Sequence, residues 1–199
     1  MTARYDFTIR HGETFNPVIL YAQPTFVVKA VTGITKSGRA VVTSTHGLTR
    51  DWPVYVTAVV GMDHLNHRSA DLRVPSKAYL ARYVSASSLM LEVDSSRMGT
   101  YESGGELLYH PPVDLTGYTA RLQVRETLAA TTTLVSLTTE NGGITLGGTA
   151  GTIELLIAPA DTDDLTATRA VYDLEVISAA GKVTAILEGS IVLGMEVTR

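Results

Sequence analysis

The stretch that decides the fold reads Tyr118-Thr-Ala-Arg-Leu-Gln-Val-Arg125. Every second residue from Tyr118 to Val124 is apolar or aromatic, and the residues between them are polar. A period of two is typical of a β-strand that has one buried face and one exposed face. Residues 171–177 alternate in the same way between apolar and acidic side chains. Both segments therefore predict strands whose inner faces lie on a core.

Further strand-like segments occur on both sides of this stretch. They are rich in β-branched and aromatic residues and cover residues 18–21, 41–44, 54–60, 78–84, 89–93, 152–157 and 183–193. Turn signals such as Asn141-Gly-Gly143 and Ala180-Gly181 separate them. Only residues 159–166 favour a helix, because a proline and several acids stand near its start. We expect one or two helical turns there in an otherwise all-β chain.

The organisation of the chain predicts one domain inserted into another. Residues 1–29 and 110–199 hold the cleanest alternating strands, and residues 30–109 hold the only tryptophan. Pro111-Pro112 is a natural rigid boundary. Insertion into a loop leaves the strand pairing of the host domain intact. We therefore predict a host domain of residues 1–29 and 110–199 and an inserted domain of residues 30–109.

Composition excludes several classes of function. The chain has no cysteine, which rules out disulfides, thiolate catalysis and cysteine-ligated zinc. Its net charge is −4 without a basic run, so we expect no nucleic-acid partner. The apolar stretch at 186–195 is short and interrupted by Glu188 and Gly189, so we expect a soluble protein with no membrane insertion. The first residues also lack the apolar core of a signal peptide.

Motifs for catalysis or cofactors are weak throughout. Gly181-Lys182 lacks the upstream glycine of a phosphate-binding loop, and Gly189-Ser190 lacks the second glycine of a nucleophile elbow, which favours a bulge or close packing at Gly189. His46 fits a turn residue that bonds the local backbone. We predict no enzyme activity, no cofactor and no metal site.

Two side-chain groups leave an alternative open. His64 and His67 are three residues apart beside Asp63, so a metal site is the alternative to a solvated loop. The acids at 161, 163 and 164 favour capping of a short helix over a weak calcium site, because no glycine lies among them.

The outer segments resemble the N-terminal domain of phage upper baseplate proteins (the BppU N-terminal family). The strings that carry the resemblance are Tyr5-Asp-Phe-Thr-Ile-Arg-His-Gly-Glu-Thr-Phe15, Val113-Asp-Leu-Thr-Gly-Tyr-Thr-Ala-Arg-Leu-Gln-Val-Arg125, Gly143-Ile-Thr-Leu-Gly147, Gly151-Thr-Ile153, Tyr172-Asp-Leu-Glu175, Leu187-Glu-Gly189 and Glu196-Val-Thr-Arg199. Their order and spacing matter more than any single string. The resemblance implies an immunoglobulin-like β-sandwich that docks onto other virion proteins.

The inserted segment resembles a small β-barrel repeat of phage structural proteins, akin to the first catalytic cysteine half-domain of ubiquitin-activating enzymes. The resemblance lies in residues 31–48, in Val54-Tyr-Val56, in residues 60–66 and in Tyr101-Glu-Ser-Gly-Gly105. The chain departs from the repeat at Asp51-Trp-Pro53 and in residues 68–82. No cysteine is present, so no activating chemistry is implied.

We therefore predict a non-catalytic structural protein of a phage virion, assembled in the host cytoplasm. As a tail or baseplate component it would dock onto a symmetric ring and bridge neighbouring subunits. Its partners would be other virion proteins and copies of itself. The alternatives are a capsid decoration or head-fibre anchoring protein, and a receptor- or glycan-binding module.

Two sets of residues are candidates for contacts with partners. The candidate interface residues are Tyr5, Phe7, Ile9, Phe15, Ile191, Leu193 and Val197. Trp52 and Tyr55 are candidates for contact with a ligand or partner, and a glycan-binding role predicts an exposed aromatic patch around them.

Overall fold

A computed structural model describes residues 2–165 and 167–194, and it confirms the all-β class. In chain order the strands are β1 (Ala3–Arg4), β2 (Phe7–Arg10), β3 (Val18–Leu20), β4 (Val27–Ala30), β5 (Gly33–Ile34), β6 (Val41–Thr43), β7 (Trp52–Val60), β8 (Tyr79–Ser85), β9 (Ser88–Met90), β10 (Ser103–Tyr109), β11 (Thr119–Arg125), β12 (Val135–Thr138), β13 (Ile144–Leu146), β14 (Thr152–Leu155), β15 (Arg169–Ile177) and β16 (Val183–Gly194). One short α-helix, α1, spans Pro159–Asp163. Short 3-10 turns span Asp63–Leu65, Asp71–Arg73, Pro75–Lys77 and Gly148–Ala150.

The chain divides into two compact units. The first combines the residues up to Tyr21 with those from Asp114 onward, and the second is Ala22–Val113. The second unit thus begins before residue 30, because β4 pairs with β10 and belongs to its sheet.

The first unit contains two sheets. In the larger one the strand order is β1-β16-β15-β11-β12, and β2 also pairs with β16. In the smaller one the order is β13-β14-β3. Leu122 on β11 lies opposite Leu174 on β15, and both are buried, as the alternation predicted. Ile144 and Ile153 supply buried side chains from the smaller sheet. This arrangement is consistent with the predicted β-sandwich.

The second unit has one seven-stranded sheet in the order β4-β10-β7-β8-β9-β6-β5. Two consecutive residues connect its opposite ends: the Val31 N–H donates to the Gly105 carbonyl at 3.0 Å, and the Thr32 N–H donates to the Thr43 carbonyl at 2.9 Å. The sheet therefore curls back on itself through this segment. The full closure expected of a small β-barrel remains a prediction.

Strand β7 is buried over most of its length because residues 62–77 lie along it. The Asn66 side chain accepts from the Val59 N–H and donates to the Val59 carbonyl, each at 2.9 Å. The His67 N–H donates to the Val56 carbonyl at 2.7 Å.

We expect Leu174→Ala to destabilise the first unit by about 2–5 kcal/mol, because Leu174 is fully buried and its truncation leaves a cavity. The matched control is Val192→Ala on the neighbouring strand β16, where the side chain is 42% exposed. The control should cost about 1 kcal/mol or less. Urea unfolding of both variants measures the difference, and equal losses would contradict the assigned core.

Candidate interaction surface

The N-terminal strands form one edge of the six-stranded sheet. β1 and β2 both pair with β16 in parallel and in a single register, from Ala3 opposite Leu187 to Arg10 opposite Gly194. The Tyr5 N–H donates to the Glu188 carbonyl, and the His11 N–H donates to the Gly194 carbonyl. Because backbone groups alternate in direction along a strand, Phe7 and Ile9 on β2 also face β16 with their backbone groups.

Thr8 and Arg10, the even-numbered residues of β2, therefore direct their backbone N–H and carbonyl groups away from β16. Within residues 2–165 and 167–194, no strand pairs with β2 on that side. An unpaired edge of this kind is a template for another strand, and proteins usually cover it or pair it.

The pairing with β16 is interrupted at Tyr5 and Asp6. One carboxylate oxygen of Asp6 accepts from the Ser190 N–H at 2.8 Å and from the Ser190 hydroxyl at 2.7 Å. These hydrogen bonds, the backbone one first, lower the pKa of Asp6 below its usual value. The Tyr5 carbonyl instead accepts from the Tyr172 hydroxyl at 2.8 Å. The Asp6 carboxylate thus replaces the Tyr5 carbonyl as the acceptor for the Ser190 N–H, and the N-terminal strands keep the same register with β16 on both sides of this point.

Gly189 makes this interruption sterically feasible. A β-carbon at this position would lie 1.8 Å from the Tyr5 carbonyl oxygen, far inside any real contact. Tyr172 lies opposite Gly189 on β15 and bonds the same carbonyl. The close packing expected from the sequence at Gly189 is therefore a contact with the N-terminal strand.

Aromatic rings gather beside this edge. The Phe7 ring lies 4.9 Å from Tyr5, 5.2 Å from Phe15 and 5.2 Å from Tyr172, centroid to centroid. The Tyr5 and Phe15 rings meet the Phe7 ring edge-on, a favourable geometry for aromatic pairs. Tyr5 is 58% exposed, whereas Phe7 and Phe15 are half-buried. Of the predicted interface residues, these three remain accessible at the edge.

The structure revises the role of the other predicted interface residues. Ile9, Ile191 and Leu193 are buried in the core of the first unit, because they lie on the inner face of β2 and β16. Their side chains stabilise the unit and are not available to a partner. Val197 lies outside the described residues.

The opposite edge of the same sheet is closed by a side chain. Asn141 Oδ1 accepts from the Thr138 N–H at 2.8 Å, and its Nδ2 donates to the Ser136 carbonyl at 2.9 Å. Both backbone groups belong to β12, the last strand in the order. The amide therefore occupies positions that an added strand would need. The sequence indicated a tight turn here but not this second role.

The outer face of the sheet carries a depression of about 430 Å³. Of the two arginines that line it, Arg4 and Arg125, the second donates to the carbonyls of Ala130 and Thr131 and to the Gln123 side chain. On the same face Arg121 forms an ion pair with Glu175 at 2.6 Å. These contacts of Arg125 and Arg121 hold the sheet and the β11–β12 loop together.

Trp52 and Tyr55 do not form an exposed patch, which corrects the prediction of a ligand contact. Both side chains are buried within the second unit. The Trp52 indole N–H donates to the His110 carbonyl at 2.7 Å, and the Tyr55 hydroxyl donates to the Val74 carbonyl at 3.2 Å. Both faces of β7 are covered here, so the rings serve as core.

The histidines of the second unit take structural positions. His46 is buried: its Nδ1 accepts from the Leu48 N–H at 3.0 Å, and its Nε2 lies 2.9 Å from the Ser85 carbonyl. The His67 ring packs edge-on against Tyr79 at 4.4 Å. No group of three metal-ligating side chains occurs in the described part of the chain.

No helix within residues 2–165 and 167–194 is long and apolar enough to cross a membrane.

Two comparisons with known proteins found no match. No protein-family model matches the chain, and no curated protein matches it.

We expect Gly189→Ala to destabilise the first unit by about 1–3 kcal/mol or more, because the new methyl group would displace the Tyr5 backbone. Gly38→Ala is the matched control, since a methyl group added there would meet no heavy atom within 4 Å. Thermal unfolding of both variants measures the effect. A Gly189 variant as stable as the control would contradict the close approach.

We expect the free energy of unfolding to fall as pH rises above about 10, the ordinary tyrosine pKa. The pKa of Tyr172 lies well above that value, mainly because the side chain is buried and, to a smaller extent, because of the charges of Asp6 and Tyr5. The unfolded chain therefore loses this proton first, which favours unfolding. Tyr172→Phe should flatten the decline while losing about 0.5–1.5 kcal/mol at neutral pH. Urea titrations at several pH values measure both effects, and parallel curves would contradict the assignment.

Proposed function

We propose that this chain is a non-catalytic structural protein of a phage virion, a tail or baseplate component that docks onto a symmetric ring and bridges neighbouring subunits. The observation that carries an assembly role is the open outer edge of β2, with the exposed Tyr5 ring beside it. Edges of this kind are normally covered or paired in the working protein. The virion context rests on the sequence strings that resemble phage upper baseplate proteins.

The contrast between the two edges of the sheet supports this role. Asn141 closes β12, whereas β2 has no equivalent cap among the described residues. A protein that only needed protection from aggregation would benefit from closing both edges. An edge left open on one side favours a defined partner on that side.

Exposed apolar side chains give a second line of support. Leu128, in the loop between β11 and β12, is 92% exposed, and Leu80 on β8 is 61% exposed. With only 18% of residues charged, much of the surface suits burial against neighbours. In a ring, symmetry supplies those neighbours without a second kind of protein.

The burial of Trp52 and Tyr55 bears on the receptor- or glycan-binding alternative. That role required an exposed aromatic platform around these residues, and both rings are instead core side chains. No other observation favours it over assembly.

Imaging of intact particles with gold-labelled antibody against this protein tests the proposal. Label concentrated at the tail end is the expected result. Label spread over the head would replace the tail role with capsid decoration or head-fibre anchoring. Particles without label, from a host that produces the protein, would overturn the virion proposal.

A further inference from the structure

The open edge of β2 also defines what could pair with it. We propose that β2 of one copy pairs antiparallel with β2 of a second copy, about a two-fold axis at Thr8, and so joins two six-stranded sheets. This dimer goes beyond the proposed function, because it holds whether or not the chain belongs to a virion.

The backbone restricts the possible registers. The groups that point outward belong to even-numbered residues, so an antiparallel partner strand must align even residues with even residues. With Thr8 opposite Thr8 of the second copy, Asp6 lies opposite the second copy's Arg10, and the reverse pair repeats by symmetry. Two threonines facing each other can also share a hydrogen bond.

The neighbouring registers are less favourable. Moving the axis to Asp6 or to Arg10 places like charges opposite each other. Moving it to Phe7 places Arg4 opposite Arg10, and moving it to Ile9 leaves Asp6 opposite Gly12. Like charges directly across two strands are destabilising, whereas opposite charges stabilise. Only the register centred on Thr8 pairs every charge between residues 6 and 10.

The side chains of this edge are free to make those contacts. Thr8 and Arg10 are exposed, and within the described residues Arg10 takes part in no ion pair. One carboxylate oxygen of Asp6 holds Ser190, which leaves its second oxygen for an arginine. Asp6 is thus fixed in place before the second copy arrives, which lowers the entropy cost of the pair.

The other face of the strand is complementary as well. In the same register Phe7 lies opposite Ile9 of the second copy, and Tyr5 lies opposite the second copy's His11. Phe7 is half-buried and Tyr5 is exposed in the single copy. The pairing therefore extends the apolar inner face of one sheet into the next and covers the exposed tyrosine ring.

A cysteine at the axis tests the geometry directly, because the chain has no cysteine of its own. In an antiparallel pair the two Thr8 α-carbons would lie about 5.5 Å apart, within the range that a disulfide spans. Thr8→Cys should therefore form a disulfide-linked dimer under mild oxidation, reversed by reductant. Ser136→Cys is the matched control, since Ser136 is exposed on the strand edge that Asn141 closes.

We expect rapid crosslinking of the Thr8 variant while the Ser136 variant stays monomeric on a non-reducing gel. Equal rates for the two variants, or no dimer from the Thr8 variant over a concentration series, would overturn the proposal. Circular dichroism of both variants establishes that each is folded before the comparison is made.

A charge reversal tests the register without any crosslink. By symmetry Arg10→Glu turns two attractive pairs into two repulsive ones, and we expect the dimer to dissociate roughly tenfold more readily in sedimentation equilibrium. Lys182→Glu changes the total charge equally at an exposed position in the β15–β16 turn, far along β16 from Val192, the residue opposite Thr8, and should leave the dissociation constant near that of the wild type. Equal effects of the two reversals, or a wild-type chain that remains monomeric throughout, would overturn the proposed pairing.

Discussion

Strand β16 is the constraint on which the first unit depends, because it must accept β15 on one side and the N-terminal strands on the other. Its inner face supplies Leu187, Ile191 and Leu193 to the core. At Gly189 it has no side chain, and the Tyr5 backbone fills that space. Strands β1 and β2 thereby lie beside β16 in one sheet, although they are far from it in the sequence. This contact and the backbone pairing on either side of it fix the position of the N-terminal edge.

Much of this fold could be predicted from the period-two pattern. The alternation of residues 118–125 and 171–177 identified β11 and β15 and the inward side of each. The same rule, applied to Thr8-Ile9-Arg10 and to residues 191–193, identifies Ile9, Ile191 and Leu193 as inward residues. These three residues were instead predicted to be interface residues because they lie near the two ends of the sequence. Position in the sequence is a weaker guide to exposure than alternation is.

Other features depend on contacts that the local sequence does not encode. Residues 52–60 form a nearly continuous apolar run, which is a signal of burial on both faces. What covers the second face, the segment of residues 62–77, could not be identified from that run. Likewise Asn141-Gly-Gly143 indicates a turn, but the reach of the Asn141 amide to Ser136 and Thr138 depends on the path of the chain after β12.

The two edges of the six-stranded sheet show how one architecture can exclude one partner and admit another. A backbone edge has no sequence preference of its own, so an uncapped strand accepts any extended segment. Selectivity must come from the side chains on either face of the strand. At β12 the Asn141 amide removes the backbone groups themselves. At β2 no strand of the described residues pairs with those groups, and the order Asp6, Thr8, Arg10 on one face with Phe7 and Ile9 on the other decides what can bind. Because that order is complementary to itself when reversed, the segment that satisfies both faces is another copy of the same strand.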